Sequence, residues 1–123
     1  MDITAKLLKL YFTESSFKFD LDKSESTSIQ MQTEAELYQS KDNDDNTAMI
    51  RMKITITSVD NDNVKVEVIT HSIFEFSEIS RNYNDIFTTV CIPKAQEESL
   101  IKIDNILENM GYPRFNLVAD IKK

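Results

Sequence analysis

From Ile50 to Val68 the chain alternates between apolar and polar residues. Ile50, Met52, Ile54 and Ile56 are interleaved with Arg51, Lys53, Thr55 and Thr57, the pattern of a strand with one buried and one wet face. Asp60, Asn61, Asp62 and Asn63 read as a turn, because Asn and Asp tolerate positive φ. Val64, Val66 and Val68 then alternate with Lys65 and Glu67 on a return strand. The alternation blurs through Ile69, Thr70, His71, Ser72 and Ile73 and resumes at Phe74 and Phe76, which predicts a bulge near His71 and Ser72.

The segment from Ile3 to Phe19 is less clean. Lys6, Leu8, Leu10 and Phe12 fall on one side of an extended chain, and Leu7, Lys9, Tyr11 and Thr13 on the other. Neither side is polar throughout, so a strand buried on both faces and an initial helix both fit. Phe17 and Phe19, set between Ser16 and Lys18, favour a strand in the second half. Asp20 to Thr33 is polar and reads mostly as a long connection, a feature often tied to function. A short strand is expected at 34–38 and an Asn-rich acidic turn at 41–46. Asn82 to Val90 reads as irregular or a short helical turn. A helix follows Pro93, with Leu100, Ile103, Ile106, Leu107 and Met110 on its apolar side. Gly111 and Pro113 stop it. Residues 114–123 carry no clear pattern.

With 123 residues the prior is one domain spanning 1–123. Its modest size favours oligomerisation. The net charge of −7 argues against a nucleic-acid partner, which needs a basic face, and against an anionic membrane surface. The first residues show no basic region leading into an apolar run, so no signal peptide is expected. No apolar stretch is long enough for a transmembrane helix, and the cytoplasm is the expected compartment.

Chemistry is scarce. One His and one Cys, His71 and Cys91, cannot make a zinc site, which needs about four ligands. They read better as a strand histidine and a buried thiol than as a catalytic pair. The Asp-Asn runs at 42–46 and 60–63 lack the glycine and glutamate of a helix-loop-helix calcium loop, and a single glycine rules out a phosphate-cradling loop. No enzyme activity, metal or cofactor is expected. Seven phenylalanines and five methionines, Met31, Met49 and Met52 among them, remain to be placed. Both a packed core and a surface for promiscuous apolar binding fit them.

The order of these pieces resembles the SecB family of protein-export chaperones. Leu10 to Phe17, with Tyr11 and then Ser16 before Phe17, looks like the family's first strand. Glu34 to Leu37 is similar to the start of its second, after a crossover loop. Ile54 to Ser58, then Val66, Glu67 and Val68 with Ile73 and Phe74, resemble the next two strands. Pro93, Gly111, Pro113, Asn116 and Leu117 are similar to the closing helix and its exit. The sequence departs from the family at His71 and Ser72, where glycines are usual, and in the longer span from Pro93 to Gly111. It stops at Lys123, which leaves the family's second helix truncated or absent.

The resemblance implies an α+β fold: a four-stranded antiparallel sheet, a long crossover loop after the first strand, and one main C-terminal helix. It implies an ATP-independent holdase for unfolded polypeptide, working in export or as the dedicated chaperone of an antitoxin. A plain oligomerisation module is a third reading. The implied client groove involves Phe17, Phe19, Met31, Phe74, Phe76 and Phe87. Glu14 and Glu67 match an acidic patch for the SecA motor, although Lys18 and Lys65 stand where the family often has an acidic and an apolar residue. Val66, Val68 and Thr70 match a strand that joins subunits into a dimer or tetramer.

Overall fold

A computed structural model of the chain describes residues 4–19, 29–39, 46–59, 64–78 and 84–111. Four strands, β1 (Ala5–Phe19), β2 (Ile29–Gln39), β3 (Thr47–Ser58) and β4 (Val64–Phe76), form one antiparallel sheet in the order β1-β4-β3-β2. A helical turn, α1 (Asn84–Ile86), a π-helical segment (Phe87–Cys91) and the helix α2 (Ile92–Asn109) follow.

The period-two pattern does what it predicts in β3. Ala48, Ile50, Met52, Ile54 and Ile56 are buried, and the residues between them are half-buried. β4 is the surprise. It pairs with β3 without interruption from Thr47 opposite Glu75 to Thr57 opposite Lys65, so the bulge expected near His71 and Ser72 is absent. Burial alternates through that stretch unbroken, with Thr70 and Ser72 inside and Ile69, His71 and Ile73 on the opposite face. What changes there is polarity, not phase. Small polar residues take buried positions, and larger apolar ones turn outward.

The reason lies in α2. Its buried residues Cys91, Ala95, Ser99, Ile103 and Leu107 recur every fourth position, starting just before the helix, with Leu100 and Asp104 beside them. The first three are small. They let the helix backbone come close to the sheet, and Ser99 meets Thr70 hydroxyl to hydroxyl at 3.2 Å. A branched aliphatic at position 99 would bring bulk, and at either position it would lack the pairing group. Leu100, Ile103 and Leu107 pack into the same cluster as Ile54, Val66, Val68 and Phe74.

Two bulges do exist, in β1. The register against β4 shifts between Leu7 and Lys9 and again between Phe12 and Glu14. Each shift inserts a residue, Leu8 and then Thr13, and restores Leu7, Leu10, Phe12 and Phe17 to the covered face. The whole segment is strand, so the alternative of an initial helix falls away. Its mixed pattern is the product of two phase changes in one strand. Bulges at a sheet edge also discourage edge-to-edge pairing, and Thr13 Oγ1 donates to the Ile69 carbonyl at 3.3 Å.

The second strand begins at Ile29, inside the stretch expected to be a connection. Its apolar positions, Ile29, Met31, Ala35 and Leu37, are separated by Gln and Glu, a wet edge strand rather than a loop. Residues 20–28, the turn expected at 41–46 except for Asn46, and the turn expected at 60–63 lie outside the described residues, as does the segment 114–123. Helical backbone starts at Asn84, well ahead of Pro93, which follows directly on the π-helical segment at the start of α2. Just before it, the Ile92 N–H bonds to the Phe87 carbonyl and Thr89 Oγ1 donates to the Asp85 carbonyl at 2.7 Å. Gly111 ends the helix with φ of 93°, the left-handed geometry glycine adopts most readily.

Strand ends are clamped by side chains. Asn46 exchanges two bonds with Phe76, carbonyl to N–H at 2.8 Å and side-chain amide to carbonyl at 2.9 Å. At the far end the Val64 N–H donates to Ser58 Oγ at 3.2 Å.

Two outcomes follow from this packing. Ser99→Ala strands the buried Thr70 hydroxyl and is expected to lower stability by about 1–3 kcal/mol, whereas Thr70→Val with Ser99→Ala recovers most of that loss. Urea denaturation of the single and double variants measures both. Cys91 is fully enclosed, and burial pushes its thiol up to about 11. Because the thiolate is the reactive form, a disulfide-exchange reagent at pH 8 is expected to label it only on unfolding. Rapid labelling of the native protein would contradict the packing of the π-helical segment.

Candidate functional site

The sheet has two unlike faces. The face under α2 carries no charged strand residue, while every charged strand residue lies on the other. On the covered face the register sets Phe17, Val66, Ile56 and Met31 in one transverse row, from edge β1 to edge β2. Leu7, Phe74, Ala48 and Gln39 make another. The eight residues from Val66 to Phe74 put about 27 Å between the two rows.

That spacing divides the groove set expected from the sequence. Phe74 and Phe76 are 1% exposed and belong to the core. They cannot receive a partner's side chain. Phe17 and Met31 are half-buried at the two edges of their row, packed against the core rather than enclosed in it. Phe87 is half-buried on the π-helical segment. Phe19 continues β1 opposite Val64, and its side chain lies outside the described residues. The structure therefore does not gather the five described side chains into one groove. It leaves Phe17, Met31 and Phe87 with accessible surface.

Val66, Val68 and Thr70 have no exposed surface at all. They face α2 of the same chain, so the strand position expected to join subunits is instead the floor of the subunit's own core. The alternation alone could not tell which covering element, helix or neighbouring subunit, hides that face.

The opposite face is polar and mixed. Lys6, Lys9, Lys18, Arg51, Lys53 and Lys65 stand there with Glu14, Glu34, Glu36, Glu67 and Glu75. The chain's acidic excess thus lies off this face. Glu14, opposite Ile69, and Glu67, opposite Ser16, are diagonal neighbours, so those two carboxylates do share a surface. Lys18 faces Lys65 directly across the strands beside them, a like-charge pair that costs stability, and Lys53 lies across β4 from Glu14. The local surface is not an acidic patch.

Aromatic and amide groups punctuate this face. Tyr11 and His71 meet edge to face with ring centroids 5.5 Å apart, and Lys9 Nζ lies 5.1 Å from the Tyr11 ring centre. Tyr38 donates to Glu36 Oε2 at 2.6 Å. That bond first, and then desolvation and the carboxylate's charge, raise the Tyr38 phenol above its ordinary range. Arg51 reaches Glu36 at 3.8 Å, a distant and well-solvated pair.

His71 and Cys91 lie on opposite sides of the sheet, the one on the polar face and the other in the core, so they cannot act as nucleophile and base. Among the described residues no three His, Cys, Asp or Glu side chains gather into a metal-binding group, and no helix is long and apolar enough to cross a membrane.

No family model and no curated protein matches the sequence. Among solved structures, the chain is similar to the Mycobacterium tuberculosis Rv1957 SecB-like chaperone, solved in complex with a ChAD peptide from the Rv1956 HigA1 antitoxin. The superposition has a TM-score of 0.68 and covers 90% of this chain and 83% of that one, at 6% sequence identity. Identity this low speaks to architecture. The strand order, the edge bulges and the helix laid over one face are those of a four-stranded α+β domain, and the chain has a SecB-like fold.

Proposed function

We propose that the protein is an ATP-independent holdase chaperone that binds non-native polypeptide. The observation that carries this reading is the SecB-like architecture over 90% of the chain, shared with a chaperone solved with an antitoxin peptide bound. The surface supports it in a modest way. Phe17, Met31 and Phe87 offer apolar contact beside the core, and among the described residues no strand pairs with the outer edge of β2, which runs without a bulge along β3. An extended client can hydrogen-bond to such an edge whatever its sequence, while side-chain pockets add selectivity.

A dedicated antitoxin chaperone is the second reading, and the bound peptide of the solved neighbour favours it. A role in export through a SecA-like motor has less support, because Glu14 and Glu67 share their face with Lys18, Lys53 and Lys65. On either reading the protein works in the cytoplasm as a dimer or tetramer. With Val66, Val68 and Thr70 enclosed, subunits would meet through other surfaces.

Light scattering tests the reading. Two unrelated, chemically denatured proteins are diluted with and without this chain, in the absence of ATP. Suppression of both near a stoichiometric ratio is the result expected of a general holdase. Suppression of neither, with tight binding to one antitoxin, would select the dedicated chaperone. Failure to bind any unfolded chain would remove the chaperone reading and leave the fold.

A further inference from the structure

A groove of about 300 Å³ opens between the edge strand β1 and the C-terminal half of α2. Leu10 and Phe12 come from the strand, and Lys102, Ile106 and Asn109 from the helix. Tyr11 and Asn105 complete its walls. The helical residues sit at i, i+4 and i+7, so they form one stripe along the groove. The stripe rises about 10 Å from Lys102 to Asn109, which matches roughly three residues of extended chain.

We propose that this groove docks a short extended segment of the polypeptide partner, one that carries an aliphatic side chain next to a carboxylate. The proposal rests on the polypeptide-binding reading above and names the class of segment it would select.

The chemistry of the lining makes the choice. Leu10, Phe12 and Ile106 give an apolar floor that favours an aliphatic side chain. Lys102 is the one charged side chain in the lining, it is exposed, and it would meet a carboxylate at the groove's edge. The Asn109 amide can both donate and accept, as a peptide backbone passing over it requires. A basic segment would bring like charge to Lys102, and a wholly polar one would leave the floor unfilled.

Fluorescence anisotropy with two short labelled peptides tests this. One has an Ala-Leu-Asp-Leu-Ala core and the other an Ala-Leu-Lys-Leu-Ala core. The parent chain is expected to bind the first about tenfold more tightly at low salt. Lys102→Glu should reverse that preference, and because Lys102 is exposed its melting curve should match the parent's. Ile106→Ala should weaken both peptides alike. Equal binding of the two peptides by the parent, or a preference that Lys102→Glu leaves in place, overturns the proposal. So does a mass that rises with protein concentration and falls back on Lys102→Glu, which would give the groove to a second copy of the chain. If the parent still suppresses client aggregation while the peptides fail, the groove assignment alone is wrong. If neither occurs, the holdase reading fails with it.

Discussion

A four-stranded sheet needs cover for one face, and here α2 provides it. The rest of the molecule is arranged around that contact. Small residues at 95 and 99 bring the helix down over β4, where Thr70 answers Ser99 with a hydroxyl, and Leu100, Ile103 and Leu107 complete the seal. Because the covered face must be dry, strand charges collect on the other one. Because β1 must keep Leu7, Leu10, Phe12 and Phe17 under the helix, it bulges twice to correct its phase.

The same arrangement decides what is available for binding. Enclosing Phe74, Phe76, Val66 and Val68 stabilises the subunit but removes them from any surface. What remains is peripheral: the half-buried Phe17 and Met31 at the sheet edges, Phe87 on the π-helical segment, and the β1–α2 groove. These are shallow, separated sites. They suit an elongated partner held at several points better than a compact ligand enclosed in one cavity. The polar face, with its interleaved lysines and glutamates, offers no single-sign field to steer a strongly basic partner.

The chain's net charge of −7 belongs to its helices and connecting segments, since the strands carry slightly more basic than acidic residues. α2 with α1 carries Asp85, Glu97, Glu98, Asp104 and Glu108 against Lys94 and Lys102. Lys102 therefore stands out on an acidic helix, in the one stretch that borders the groove. A contact made at Lys102 is governed by the charges within a Debye length of it, Glu98 one turn before it among them.

Much of this was legible from residue order. Strict alternation fixed β3 and the first half of β4, because a half-buried strand admits few other patterns. The three- and four-residue spacing of Leu100, Ile103 and Leu107, with Gly111 after it, marked the helix and its end. The scarcity of His, Cys and Gly spoke against common catalytic and metal sites. Tertiary structure decided the remainder. Only the pairing register shows that β1 bulges, since an inserted residue and an ambiguous pattern look alike in one dimension. Only the tertiary contact with Ser99 accounts for the buried hydroxyl of Thr70, which faces in while Ile69 faces out. And only three-dimensional burial separates an aromatic that binds from one that packs: Phe17 and Phe74 look alike in the sequence, yet the first lies on an edge strand and the second on a central one.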